Sequence, residues 1–213
     1  MPTTPPIFTT TLVADGSSDR TLIPIISLPL NTHCPGPYRE PGFVDQIPPG
    51  TRGLADRIRY SLERYPCDVL FVHRDAERQP PNLRIKEIQQ ALASLPTAHP
   101  AIEIVPVQMT ESWLLVSEQA IRRAAGNPAG RDALGLPAAH KIEAVDAKET
   151  LFEATRRARG LGRQRTQRLK PEAYRHRVAE YLDDLSLLRR APSFARFELK
   201  VRDYFVGVAT VDA

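Results

Sequence analysis

The chain has 213 residues, of which 42% are hydrophobic and 25% charged, and its formal net charge is +4. This composition is ordinary for a folded soluble protein. No apolar run is long enough to span a membrane, and the start of the chain is too polar for a secretory leader. Cys34 and Cys67 form neither a C-x-x-C pair nor a secreted framework, so we expect a cytoplasmic protein without membrane association.

The first 126 residues alternate between strand-like and helix-like segments. Short apolar, β-branched runs predict strands, and apolar residues three or four positions apart predict amphipathic helices. In chain order the predicted elements are a strand at 7–13, a helix at 19–29, a loop at 31–50 with a short strand at 43–47, a helix at 53–65, a strand at 67–73, a helix at 81–95, a strand at 101–107 and a helix at 110–126. This alternation predicts an α/β fold, with a parallel sheet and helices on both faces.

The pattern after residue 145 is helical throughout, with predicted helices at 146–159, 171–190 and 193–205. We therefore expect an α/β domain at 1–130 and a helical extension at 131–213 that packs on it. Trp113, Leu114 and Leu115 lie on an apolar helix face, so we expect them in the core.

Acidic residues follow three of the predicted strands. Asp15 and Asp19 come after the first, Asp75 and Glu77 after the second, and Glu111 just past the third. In open α/β sheets, ligands gather at the carboxyl ends of the strands. Each acid also has a simpler explanation, since acids cap helix starts and suit the helix dipole. For Glu111, which follows Thr110, capping is as good an explanation as a ligand site.

A convergence of all these acids would need a counter-charge. Two carboxylates about 4 Å apart repel by ~4 kcal/mol at an effective dielectric constant of 20. Hard oxygen ligands select Mg²⁺ or Mn²⁺ rather than zinc. No His/Cys set with zinc spacing competes, and we expect His73 to stand beside the strand end rather than to bind a metal.

Three acidic pieces in order resemble the Toprim domain: "DGSSD" at 15–19, "FVHRDAE" at 71–77 and "TESWLL" at 110–115. The resemblance is closest to the small stand-alone Toprim-like proteins of bacteria and phages, which are often encoded beside an ATPase and are related to the overcoming-lysogenization-defect nucleases. It extends to "VDAKETL" at 145–151 and "SFARFELKVRDYF" at 193–205, which look like that family's helical tail.

The resemblance assigns roles position by position. It implies that Asp15, Asp75, Glu77 and Glu111 are catalytic, and that these four together with Asp19 bind Mg²⁺ or Mn²⁺. Toprim enzymes usually have glutamate where Asp15 stands and aspartate where Glu77 stands. A catalytic group misplaced by about 1 Å can cost ~100-fold in rate, so metal binding follows from the resemblance more directly than turnover does.

The implied function is a metal-dependent nuclease or other phosphodiester-cleaving enzyme, acting as an antiphage-defence or mobile-element effector together with an ATPase. The alternative is a non-catalytic subunit that binds nucleic acid or a partner through a degenerate site. A phosphatase acting on small phosphate esters is a third possibility.

The stretch 156–177 carries nine arginine and lysine residues against one acid. Such a density of positive charge suits binding along a phosphate backbone, and we expect nucleic acid, DNA in particular, as the partner. The expected nucleic-acid contacts are Lys148, Arg156, Arg157, Arg159, Arg163, Arg165, Arg168 and Lys170. A solvated helix end, or a surface that meets an acidic protein, would explain the same charges.

Overall fold

The computed structural model describes residues 7–44, 48, 51, 53–160 and 171–211. Within these ranges a four-stranded parallel sheet has the order β2-β1-β3-β4. The strands are β1 (Thr10–Val13), β2 (Gly42–Phe43), β3 (Val69–His73) and β4 (Ala101–Ile104). The expected α/β class with a parallel sheet is confirmed, and the arrangement is consistent with a Toprim-like fold. The predicted strand at 43–47 shortens to two residues, and 45–47 lie outside the described residues.

Helices connect the strands and form the second half of the chain. They are α1 (Leu22–His33), α2 (Gly53–Arg64), α3 (Pro81–Ala93), α4 (Glu111–Leu114), α5 (Glu118–Ala124), α6 (Ala147–Ala158), α7 (Pro171–Glu180), α8 (Leu185–Leu188) and α9 (Pro192–Val211). A 3₁₀ turn at Ser17–Thr21 precedes α1. No helix within the described ranges combines the length and the apolar character that crossing a bilayer requires.

Two predicted helices are divided in the structure. The helix expected at 110–126 breaks before Ser117, whose hydroxyl accepts the main-chain N–H of Ala120 at 3.1 Å. The helix expected at 171–190 breaks before Asp184, whose carboxylate accepts the N–H of Ser186 at 2.8 Å. A side chain that accepts hydrogen bonds from the first free N–H groups allows a new helix to begin. The apolar periodicity continues across both breaks, so the sequence pattern predicted one helix in each case.

The sheet is covered on both faces, as the alternation of elements predicted. Side chains alternate along each strand, so Leu12 and Phe71 face one side while Val13 and Val72 face the other. The first side packs against α1 and α9, and the second packs against α2 and α3. Every residue of β3 is buried, which explains why its sequence is a continuous apolar run.

The last helix belongs to the same hydrophobic core as the sheet. Phe194 and Phe197 are buried, and the Phe197 ring lies 5.9 Å from that of Phe71. Trp113 is fully buried, as predicted, with its ring 5.2 Å from Phe194, and its indole N–H donates to the Ser193 hydroxyl at 2.8 Å. The last helix therefore packs on the sheet through these aromatic side chains, while the division of the chain at residue 130 into an α/β domain and a helical extension stays a prediction.

Candidate functional site

The candidate site lies at the carboxyl ends of β1 and β3 and in the segment that follows β4. These two strands are neighbours, with Val13 paired to Val72, so the chain leaves the sheet side by side toward Asp15 and Asp75. The segment after β4 lies against the turn after β3, because the N–H of Glu77 donates to the Gln108 carbonyl at 3.0 Å. The topology thus brings the three acidic pieces to one edge of the sheet.

Asp75, Asp19 and Glu111 interact electrostatically. Burial raises the pKa of Asp75 to about 6, the nearby His73 opposes this increase, and the carboxylates of Asp19 and Glu111 add to it. A backbone hydrogen bond from Thr110 lowers the pKa slightly. Carboxylates from two other segments are therefore close enough to Asp75 to raise its pKa.

His73 stands at the end of β3, beside Asp75, as the sequence suggested. Its Nδ1 donates to the Ile104 carbonyl at 3.1 Å, which leaves Nε2 to face Asp75 at 3.4 Å from Oδ1. Asp75 Oδ1 is buried, and its contact with His73 Nε2 lacks hydrogen-bond geometry but is an ion pair when the imidazole is protonated.

Asp15 takes part in ion pairs instead of joining Asp75. Its carboxylate is 2.9 Å from Arg57 Nη1 and 3.0 Å from Arg74 Nε. Nη1 of Arg74 also lies 2.8 Å from Oε1 of Glu87. The side chain of Asp15 is 47% exposed, so this acid stands at the rim of the site.

Glu77 also lies at the rim. Its side chain is 70% exposed and ion-paired with Arg84 at 3.0 Å. Both Glu77 and Arg78 have left-handed backbone, with φ of +50° and +66°. Non-glycine residues seldom adopt this conformation, which costs about 1–2 kcal/mol each. Arg84 also pairs with Glu87, so a row of alternating charges runs from Arg57 to Glu77 along the strand ends.

Glu111 lies inside the site, in the first turn of α4. Only 7% of its side chain is exposed, and Oε1 lies 2.6 Å from Nη1 of Arg175 on α7. Nη2 of Arg175 donates to the main-chain carbonyl of Ser18 at 3.0 Å. Arg175 therefore joins the acidic segment after β4 to the turn after β1.

The donor chemistry of the three interacting acids suits a hard divalent cation. Asp19, Asp75 and Glu111 offer carboxylate oxygens, the ligand type that Mg²⁺ and Mn²⁺ prefer. As they stand, the described residues contain no group of three or more His, Cys, Asp or Glu side chains arranged to hold a metal ion. The fit therefore rests on the ligand type of these three acids alone.

The arginines of the site were not identified from the sequence as site residues. Arg57 lies on the polar face of an amphipathic helix, and Arg74 lies between an apolar strand and an acid, so neither position gave a signal. Arg175 belongs to the basic stretch, but nothing in the sequence places it against Glu111.

The arginines at the start of the basic stretch contact other residues of the chain. Arg156 pairs with Glu153 at 2.7 Å, Arg157 donates to the Leu134 carbonyl at 3.3 Å, and Arg159 donates to the hydroxyl of Tyr174 and lies over its ring. Lys148 is exposed in the first turn of α6. The remaining expected contacts, Arg163, Arg165, Arg168 and Lys170, lie outside the described residues.

Comparison with known proteins identifies no relative of this chain. No family model, no curated protein and no solved structure matches it.

Proposed function

We propose that this chain is a metal-dependent nuclease of Toprim type, which cleaves phosphodiester bonds at the carboxyl ends of β1 and β3. The observation that carries the proposal is the position of Asp75 at the end of β3, where it interacts electrostatically with Asp19 and Glu111. Glu111 has Arg175 and Asp75 has His73 beside it, and the repulsion among acids at a strand-end edge favours a further counter-charge. A divalent cation is the counter-charge that oxygen ligands favour.

Asp19, Asp75 and Glu111 would hold Mg²⁺ or Mn²⁺ in this proposal. When bound, such an ion polarises a phosphoryl oxygen and makes hydroxide available from water near neutral pH. His73 is the residue suited to hold or move a proton beside the ion, because its Nε2 lies 3.4 Å from Asp75 Oδ1 while its Nδ1 donates to the Ile104 carbonyl. Asp15 and Glu77 belong to the proposed site as acids of its rim, where arginines now neutralise them.

The proposed substrate is nucleic acid, with DNA favoured. The support is the basic stretch at 156–177, whose charges would follow a phosphate backbone. An ATPase partner and a role in antiphage defence or mobile elements are part of the same proposal, and they rest on the resemblance to the Toprim-like family.

A second candidate function has support of its own. Asp15, Glu77 and Glu111 are each ion-paired with an arginine, so three of the five expected acids are already neutralised. This arrangement favours a non-catalytic subunit that kept the fold and binds nucleic acid or a partner protein.

Plasmid cleavage separates the two functions. The full chain would be incubated with supercoiled plasmid and Mn²⁺, with an EDTA control, beside the variants Asp75→Asn and Asp183→Asn. Asp183 is a matched control, since it is an exposed acid paired with Arg123. We expect Asp75→Asn to lower the cleavage rate by at least ~100-fold and Asp183→Asn to cleave like the wild type. Salt-sensitive binding without cleavage in either Mg²⁺ or Mn²⁺ would establish the second function instead.

A further inference from the structure

A cavity of about 900 Å³ opens between α1, the loop at 34–40 and α7. None of the five acids of the candidate site lines it. The buried part of its lining is apolar and includes Ile23, Leu30 and Leu182, while the rest of the lining carries polar and charged side chains. Sites for small molecules have this size and this kind of lining, in which a few polar groups fix the orientation of the ligand.

The walls of the cavity are held in place by contacts within the chain. The loop at 34–40 is attached to the start of β1, because the N–H of Phe8 donates to the Pro37 carbonyl and the N–H of Arg39 donates to the Phe8 carbonyl, both at 2.9 Å. The Tyr38 hydroxyl donates to Oδ1 of Asn31 on α1 at 2.6 Å. The opposite wall, α7, packs against α1 and the 3₁₀ turn. A ligand would therefore enter a cavity that is already formed, which lowers the entropic cost of binding.

The two ends of the cavity offer different polar groups. Arg20, in the 3₁₀ turn before α1, supplies a positive charge at one end. Asn31, near the end of α1, supplies an amide whose nitrogen carries two N–H donors. A helix rise of about 1.5 Å per residue separates the two positions by roughly 16 Å. A ligand as small as inorganic phosphate therefore cannot contact both ends.

The space between the two ends combines flat apolar surfaces with hydrogen-bond acceptors. Pro24, Pro37 and the ring of Tyr38 line it, and such surfaces pack well against a planar ring. The carboxylates of Glu40 and Glu180 line it as well, and they accept hydrogen bonds from hydroxyl or amino groups. Carboxylates have this role towards the ribose hydroxyls in many nucleotide sites.

This set of groups restricts the class of ligand. A lipid chain would leave the amide of Asn31 and both carboxylates against apolar groups, at a cost in desolvation. A cationic peptide would bring positive charge towards Arg20, and a small anion would use Arg20 alone. A molecule with a phosphate, a hydroxylated sugar and a planar polar ring has a partner for every group of the lining.

We propose that this cavity binds a nucleoside monophosphate, with the phosphate at Arg20 and the base beside Tyr38 and Asn31. The proposal depends on the cavity and its lining, and it goes beyond the proposed nuclease function because no acid of the strand ends takes part.

Calorimetric titration of the full chain in EDTA tests the proposal, because EDTA removes any contribution of a metal ion. The probes are AMP, GMP, CMP and UMP, with the matching nucleosides and ribose phosphate as partial ligands. We expect at least one nucleotide to bind, and its nucleoside and ribose phosphate each to bind at least ~10-fold more weakly, since each lacks one set of contacts.

Neighbouring positions supply matched variants. We expect Asn31→Ala to raise the nucleotide Kd about fivefold, because hydrogen bonds to the base are lost, and Thr32→Ala, on the same helix but outside the cavity, to leave it unchanged. Arg20→Gln should raise the Kd about tenfold, whereas Arg59→Gln on α2 should not change it. Ser27→Trp places a large ring in the cavity and should lower affinity at least ~10-fold.

A thiol measurement locates the bound nucleotide. Cys34 lines the cavity and Cys67 does not, so Cys67→Ser leaves Cys34 as the single thiol of the chain. We expect a saturating nucleotide to slow the reaction of Cys34 with dithiobis-nitrobenzoate at least ~5-fold, because it covers the sulfur.

Each outcome decides the proposal. The absence of nucleotide binding overturns it, and so does a nucleoside or ribose phosphate that binds as tightly as the nucleotide. A wild-type Kd in Ser27→Trp and Asn31→Ala, or an unprotected Cys34, places the nucleotide elsewhere and overturns it too. Nucleotide binding in the cavity without plasmid cleavage leaves this proposal standing while the nuclease proposal fails. Plasmid cleavage without nucleotide binding has the opposite meaning.

Discussion

Asp15 and Arg74 follow neighbouring strands of the sheet, and Arg74 Nε lies 3.0 Å from Asp15 Oδ2. Asp15 also contacts Arg57 at 2.9 Å, so two guanidinium groups compete with any cation for its carboxylate. Asp15, which the sequence predicted to be a metal ligand, is therefore held in two ion pairs at the rim of the site.

Removing Arg74 should strengthen metal binding if Asp15 belongs to the metal site. We expect Arg74→Gln to lower the Kd for Mn²⁺ about two- to fivefold, since a partly exposed ion pair contributes up to about 1 kcal/mol. The measurement is the free Mn²⁺ signal in electron paramagnetic resonance. Arg59→Gln breaks a similar pair with Asp56 on α2 and should leave the Kd unchanged. Equal affinities in the two variants would place Asp15 outside the metal site.

Asp75 should make the protein less stable as the pH rises through the weakly acidic range. Its folded pKa of about 6 lies above the ordinary value of 3.8, so between these values the folded state binds more protons than the unfolded state. The free energy of unfolding then falls with increasing pH. Asp75→Asn lacks this titration, and we expect it to gain about 1 kcal/mol over the wild type between pH 5 and pH 7.

Urea unfolding followed by the fluorescence of Trp113, the one tryptophan of the chain, measures this difference. Comparing the two proteins at each pH cancels the contribution of the other titrating groups. A difference that stays constant from pH 5 to pH 7 would mean that Asp75 is ionised throughout this range.

Ser193 should stabilise the contact of the last helix with α4 and with the segment before α6. Its hydroxyl accepts the Trp113 indole N–H at 2.8 Å and donates to the Glu143 carboxylate. Ser193→Ala leaves a buried N–H without an acceptor, which costs about 1–3 kcal/mol of unfolding free energy. Thr210→Ala, on the exposed end of the same helix, should change it by less than about 0.5 kcal/mol. Equal effects of the two substitutions would show that the Trp113 contact contributes little.

The basic stretch should bind DNA through its phosphates and without sequence preference. We expect a triple variant to bind duplex oligonucleotides more weakly, by the same factor for unrelated sequences. The variant replaces Arg163, Arg165 and Arg168 by Gln. The slope of log K against log salt should shrink by about 0.9 for each phosphate that the protein no longer neutralises. Fluorescence anisotropy at several salt concentrations measures both quantities.

A control that removes the same charge elsewhere distinguishes contacts between the basic stretch and DNA from the effect of the protein's net charge. Arg190, Arg196 and Arg202 are exposed in the tail, and changing all three to Gln removes equal charge. If this control weakens binding as much as the first triple variant does, the basic stretch is not the DNA contact.

The sequence predicted those features of the site that depend on strands and their ends. The buried run of β3 followed by Asp75, and the apolar segment after Glu111, were visible as patterns because a parallel sheet needs apolar strands and short links. The ion pairs between the acids and the arginines of the site could not be predicted from the sequence. Arg175 meets Glu111 only because α7 packs against α4 and the 3₁₀ turn after β1, and such a tertiary contact has no periodicity in the sequence.

The backbone conformation of the turn after β3 could not be predicted from the sequence either. Glu77 and Arg78 adopt left-handed backbone, although neither residue favours it, because the N–H groups of both donate to carbonyls in the segment that follows β4. Local propensity would have assigned ordinary backbone there. The exposed position of Glu77 thus depends on long-range hydrogen bonds.

The burial of Phe197 and Phe205 in the last helix has a consequence for synthesis of the chain. The face of the sheet that contains Phe71 is covered partly by α1, and its cover is complete only when α9 has been synthesised. Nascent chains expose such apolar surfaces to aggregation, and N-terminal segments normally fold first. Here the first strands emerge early but need α9 to complete their core, so a chaperone that shields an incompletely covered sheet face would raise the yield of folded protein.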